Sequence, residues 1–233
     1  MLEDAINTTG DINGEAEVLN FAVERYSIAQ GYRVWKDVAR NYQADYVVIY
    51  FGWDDHWRAG APDSTRMAER LTSPTQSVIS KMGNRRFIQL IVNNKMNARN
   101  QARRDNPHSL RVPLKEYEWT LRALITDIQE SGAEPVLIIP DGKDLPASIV
   151  TRGLAADMAS IKHLHGEYNR VSKEIAIQTK CAVVDMVEFI NTEVATRFVL
   201  ANEEAVPLFE ENGIVLTEKG REFLVELLQL KIH

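Results

Sequence analysis

Four apolar runs of strand length punctuate the chain: EVLNFAV (17–23), YVVIYFG (46–52), EPVLIIP (134–140) and CAVVDMV (181–187). Between them the apolar residues fall at helical spacing. From Ser27 to Tyr42 these are Ile28, Trp35, Val38 and Tyr42, and from Leu114 to Gly132 they are Tyr117, Leu121, Leu124, Ile125 and Ile128. Gly132 supplies a helix stop. A third helix is expected from His165 to about Thr179, with Tyr168, Val171 and Ile175 on its inner face. The last begins at Thr217, an N-cap residue type, and buries Phe223, Leu224, Leu227 and Leu228. Alternation of strand and helix predicts an α/β protein with a parallel sheet covered on both faces. In such sheets ligands bind beyond the carboxyl ends of the strands.

One interval breaks the rhythm. About 80 residues separate the second and third runs, too many for a simple crossover. The excess reads as a helical insertion at about 58–112 within a single domain spanning 1–233. Its stretch from Arg70 to Arg104 carries eight basic residues (Arg70, Lys81, Arg85, Arg86, Lys95, Arg99, Arg103, Arg104) and no acid. That polarity suits an anionic small molecule, an anionic glycan, a lipid head group or the acidic face of a partner, and equally a solvated face of lid helices.

Composition narrows the class only a little. A net charge of −6 argues against a general nucleic-acid binder, and 45% hydrophobic with 26% charged residues is ordinary for a soluble globular protein. Cys181 is the single cysteine, so no internal disulfide can form; in its apolar run it reads as a buried, inert thiol. No apolar stretch approaches the roughly 18–20 residues of a membrane span, and MLEDAINTTG lacks the regions of a signal peptide. A segment of a longer exported or anchored protein would read the same way, which leaves the compartment undetermined.

The second run ends in an unusual string. YVVIYFGWDDHW (46–57) stops at Gly52 and sets Asp54, Asp55 and His56 between Trp53 and Trp57, where a parallel strand delivers residues to a ligand crevice. Together with VLNFAVERYSIAQG (18–31), HGEYNRVSKEIA (165–176) and LFEENGIVLTEKG (208–220), this string resembles the SGNH hydrolases, or GDSL esterases. It is similar in particular to a bacterial branch whose third block reads Gly-Trp-Asn-Asp-His-Trp. The resemblance runs from about Glu17 to Leu230. It implies a three-layer α/β/α sandwich with a flavodoxin-like parallel sheet and serine-based hydrolysis of acyl esters, often on carbohydrates or lipids, with no cofactor and no metal.

Such hydrolysis needs a serine nucleophile, a histidine base, an orienting aspartate and donors for the oxyanion. Where the family carries Gly-Asp-Ser, the one echo here is Gly10-Asp11-Ile12, so the nucleophile and the first strand are expected to be missing. Arg25 stands where the second block has its donor glycine, and its side chain is expected to shift that turn or fill the pocket. Asp54 replaces the third block's asparagine, and a carboxylate accepts but does not donate. In the fourth block Asn212 and Val215 occupy the positions of the orienting acid and the base, and valine takes no proton.

Departures in all four blocks predict a catalytically inactive pseudo-hydrolase that acts as a binding or interaction module. The alternative is a hydrolase of acyl esters with a site rebuilt around Asp54, Asp55 and His56, joined by Asp141 from the next strand end. The plainer reading of His56 is a hydrogen-bonded structural residue. His163 and His165, an i, i+2 pair, suit a surface or capping role, and Ser64 in APDS reads as an ordinary loop serine. A missing central strand adds one further expectation, a homodimer or a strand-completing partner.

Overall fold

The computed structural model describes residues 2–9, 15–72, 98, 101, 109–140, 148–151, 153–189, 216–229 and 231–232. The elements in chain order are α1 (Leu2–Thr9), α2 (Ile28–Asp37), β1 (Tyr46–Ile49), α3 (Asp63–Thr72), α4 (Leu114–Glu130), β2 (Glu134–Ile139), α5 (Ser148–Thr151), α6 (Met158–Thr179), β3 (Ala182–Asp185), α7 (Met186–Phe189) and α8 (Glu218–Gln229). The strands form a parallel sheet of order β1-β2-β3, with Val48 opposite Val136 and Leu137 opposite Val183. Helical crossovers between parallel neighbours account for both pairings.

β2 shows why three layers form. Strand side chains alternate between faces, so Leu137 and Ile139 pack with Ile49 against α2, α4 and α6, while Val136 and Ile138 pack against α8. The first face holds Ile28, Trp35, Tyr117, Leu121, Ile125, Ile128, Tyr168 and Ile175; the second holds Phe223, Leu227, Leu228 and Leu2 of α1. The result is an α/β/α sandwich. Each fully buried Leu, Ile or Phe contributes roughly 1.5–3 kcal/mol, so the two apolar faces of this one strand organise much of the stability.

Local chemistry sets the helix ends. Ser27 and Gln30 form a capping box at α2, Asp157 accepts from the Ser160 N–H (2.8 Å) at α6, and Thr217 Oγ1 accepts from the Gly220 N–H (3.1 Å) at α8. Gly132, at φ +91°, ends α4 as its residue type predicts. The helix expected from His165 begins seven residues earlier, at Met158, because Asp157 supplies the cap.

Two expectations are overturned. The run 17–23 is not a strand: residues 15–23 have no regular secondary structure. In a flavodoxin-like order, 2-1-3-4-5, the second strand pairs only with the first. No first strand occurs in the described sheet, β1 lies at its edge, and Val18, Leu19 and Val23 are exposed, as is Val48 on β1. The helix expected over 27–42 also breaks. Val38 leaves helical geometry at φ −136°, a 3-10 turn covers Ala39–Tyr42, and Gln43 closes it in the left-handed region. Val38 and Tyr42 therefore face solvent instead of the core. Smaller differences follow at other ends: β1 and β3 are shorter than their apolar runs, and Leu224 is only partly buried.

Of the basic insertion, only α3 and the bridge between Arg58 and Leu110 fall among the described residues with much of their surroundings. Arg70 lies on α3, and Lys81, Arg85, Arg86, Lys95, Arg99, Arg103 and Arg104 lie outside the described residues. No described helix is long and apolar enough to cross a membrane.

Gly31 shows how closely α2 meets the strand end. A Cβ there would stand 2.1 Å from the Phe51 ring, which packs against the core. Gly31→Ala is expected to lower stability by about 1–2 kcal/mol in urea denaturation, overpacking outweighing the helix propensity that alanine adds.

Candidate functional site

The crevice is built where β1 ends. Gly52 turns the chain at φ +129°, a conformation that L side chains rarely adopt, and a Cβ there would sit 3.4 Å from Pro140. The turns that follow spread Trp53, Asp54, Asp55, His56 and Trp57 in different directions. Asp54 and Asp55 diverge to different partners, while the rings of Trp53, His56 and Trp57 pack together.

Asp55 points inward and is fully buried. Its Oδ1 accepts from the Ile28 N–H at the start of α2 (2.8 Å) and its Oδ2 from the Gly52 N–H (2.9 Å). Its backbone carbonyl accepts from the Val112 N–H (2.9 Å). One residue thus ties the N-terminus of α2, the end of β1 and the return from the insertion. Burial raises its pKa to about 7, against the opposing pull of the two N–H groups and of Arg111.

Asp54 points the other way, towards Arg111. The Arg111 guanidinium donates from Nη1 to Asp54 (3.1 Å), from Nη2 to Gln30 Oε1 (2.8 Å) and from Nε to Asp63 (2.9 Å). Asp63, the first residue of α3, is buried, and Arg66 reaches it from the next turn (3.3 Å). Burial raises the pKa of Asp54, while Arg111, Arg25 and the Trp57 indole pull it down. The carboxylate is engaged by fixed donors. An ion pair this sheltered loses several kcal/mol if one partner is removed, because the other charge is left buried.

Arg25 keeps the backbone conformation that a glycine would take, at φ +65°. Its side chain neither fills the crevice nor shifts the turn out of that region. It is 70% exposed and pairs with Glu24 (3.2 Å).

His56 is buried, and its Nε2 lies 3.2 Å from His165 Nδ1. His165 Nε2 lies 3.1 Å from the Pro140 carbonyl and 3.2 Å from Asn169 Nδ2, which donates to the same carbonyl (2.9 Å). Trp53 stacks on His165 with ring centroids 3.7 Å apart, and His56 meets Trp57 and Tyr168 edge-on. Burial lowers the pKa of His56 to about 3 and of His165 to about 4. Both rings are neutral near pH 7. His56 Nδ1 is buried with no hydrogen-bond partner among the described residues. The two histidines form a short chain ending on a backbone carbonyl, and no carboxylate bonds to either ring among the described residues.

His165 corrects the expectation of a surface or capping role. It is buried inside α6 and belongs to the crevice, whereas His163 is exposed. Sequence reasoning missed it because i, i+2 spacing puts the two rings on different helix faces, which says nothing about which face is the core. Arg111, Asp63 and Gln30 were also missed, since three residues 33 and 48 positions apart carry no local pattern. Ser64 lies exposed on the first turn of α3. Asp141, Asn212 and Val215 lie outside the described residues. No group of three or more metal-ligating side chains occurs among the described residues.

Two predictions follow from this geometry. Asp55→Ala strands two buried N–H groups and is expected to lower stability by about 2–4 kcal/mol in urea denaturation. For pH, unfolded histidines bind protons below about 6.5 while His56 and His165 in the fold refuse them until about 3 and 4, so each loses stability as pH falls. Asp55 acts oppositely: from its ordinary 3.8 up to about 7 the native carboxyl holds a proton that the unfolded one has released. Two protons against one leave about one net proton taken up on unfolding. Stability should fall by about 1.4 kcal/mol per pH unit between about pH 6.5 and 4.5, and Asp55→Asn should steepen that slope about twofold, as read from urea midpoints across the range.

No protein-family model and no curated protein matches the sequence. Solved structures do. A lipase/acylhydrolase from Enterococcus faecalis superposes with a TM-score of 0.58 at 15% identity, over 99% of this chain and 82% of that one. An acetyl xylan esterase gives a TM-score of 0.56 at 14% identity, over 100% of this chain and 88% of that one. A catalytic mutant of an acetylxylan esterase from Geobacillus stearothermophilus gives 0.50 at 17% identity, over 92% and 71%. Taken with the three layers, the parallel sheet and the string at its strand end, the chain has an SGNH/GDSL hydrolase-like fold.

Proposed function

We propose that the chain is a catalytically inactive SGNH-hydrolase-like module that binds and does not hydrolyse. One observation carries the reading: at the position of the oxyanion-donating asparagine stands Asp54, a carboxylate held by Arg111 and Trp57. A carboxylate offers no proton to a developing oxyanion and repels its charge. Asn212 and Val215, in the places of the orienting acid and the base, point the same way in the sequence.

The rebuilt-site reading finds less support. Asp55 spends both oxygens on backbone N–H groups, and His56 faces a second neutral histidine instead of an acid. Neither is placed to activate water beside the other.

The test is hydrolysis of p-nitrophenyl acetate by the wild-type protein and by Asp55→Ala/His56→Ala. Neither is expected to turn over above buffer. Wild-type turnover that disappears in the folded double variant would establish a working site at the strand end and overturn the reading.

A further inference from the structure

We propose that a groove between α2, α3 and α4 is a binding site for a neutral oligosaccharide, with Trp119 as its stacking platform. The inference deepens the reading of the chain as a binding module, but the groove is separate from the crevice: none of Arg25, Gln30, Asp54, Asp55, His56 or Arg111 lines it.

Trp119 is the one exposed tryptophan among the described residues. The core face of α4 is set by Tyr117, Leu121, Leu124, Ile125 and Ile128, and Trp119 projects away from it, 66% exposed. The other three tryptophans are buried at 6–7%. A single exposed apolar side chain is ordinary. This one instead borders a groove of about 500 Å3, within the roughly 300–1,000 Å3 of small-ligand sites.

The rest of the lining selects the ligand. Met67 and Ala29 give the floor an apolar surface. Tyr32 is fixed by its hydroxyl, which donates to Asp127 (2.8 Å), and Lys36 covers its ring at 4.4 Å, so Trp119 supplies the open aromatic face. Around that face stand two cations, Arg33 and Lys36, and two carboxylates, Asp37 and Glu116. Arg33 and Asp37 neutralise each other (3.1 Å). The groove therefore presents donors and acceptors without net charge.

A pyranose matches these features. One face of the ring is rich in C–H groups and stacks on an indole, while the equatorial hydroxyls reach the polar rim; aromatic walls with a few placed polar groups are how such sites gain orientation. A polyanion would find no excess positive charge here. A lipid chain would leave Glu116 and Lys36 without a role.

The experiment uses the whole chain with xylotetraose, cellotetraose and chitotetraose, each titrated to about 10 mM to cover millimolar dissociation constants. Because Trp119 is the exposed indole, at least one sugar is expected to shift emission to the blue and protect it from acrylamide quenching. Trp119→Ala should remove the response and weaken calorimetric binding at least about tenfold, Trp119→Tyr should retain part of it, and Glu116→Gln should weaken it several-fold. Both side chains lie at the surface of the groove, so the melting temperatures of the three variants should match wild type. No response to any of the three sugars overturns the proposal, as does binding that survives Trp119→Ala. Binding confined to sulfated oligosaccharides and insensitive to Trp119→Ala overturns it too, and assigns recognition to basic residues elsewhere. Esterase activity is read separately, so active protein with an empty groove and inactive protein with a filled one are distinct results.

Discussion

The buried carboxylate of Asp55 is the constraint around which the crevice is arranged. It accepts from the first N–H of α2 and from Gly52 at the end of β1, and its own carbonyl holds Val112. A helix N-terminus carries unsatisfied donors and partial positive charge, so an acid at that point is favoured both as acceptor and as counter-charge. Burying it is costly, which its raised pKa registers. The cost is offset because three chain segments far apart in sequence are fixed by one residue.

Arg111 plays the matching part on the open side. Its guanidinium joins Asp54, Asp63 and Gln30, linking the strand-end turn to α3 and α2. A planar cation with five donors is suited to this, and lysine would not reproduce it. The arrangement turns Asp54 into a structural acceptor. An ion-pair network thus ties the strand-end turn to its neighbours, while the histidine pair beneath is kept neutral by burial.

Among the described residues the sheet has three strands, with β1 and β3 at its edges. Segment 17–23 has β-like composition, yet composition alone does not make a strand. Phe21 of this segment packs on Tyr42 of the 3-10 turn with centroids 5.3 Å apart, and Arg25 closes the turn that follows with a positive φ. A non-glycine residue in that region costs of order 1 kcal/mol, which the surrounding turn sustains.

The sequence by itself determined the helix–strand alternation, the core faces of α4 and α6, the helix stop at Gly132 and the strand-end position of Asp54, Asp55 and His56. Each rests on local periodicity, on a residue type with a fixed conformational preference, or on a contiguous string, and such information survives without knowledge of the rest of the chain. Only the tertiary structure decided which way each member of the string points, that Arg111 joins Asp54 to Asp63, that His165 is buried against Trp53 and that 17–23 forms no strand. Those outcomes depend on which segments come together across tens of residues. Hydrogen-bond partners at such separation leave no spacing to read, because burial and pairing are properties of the packed whole.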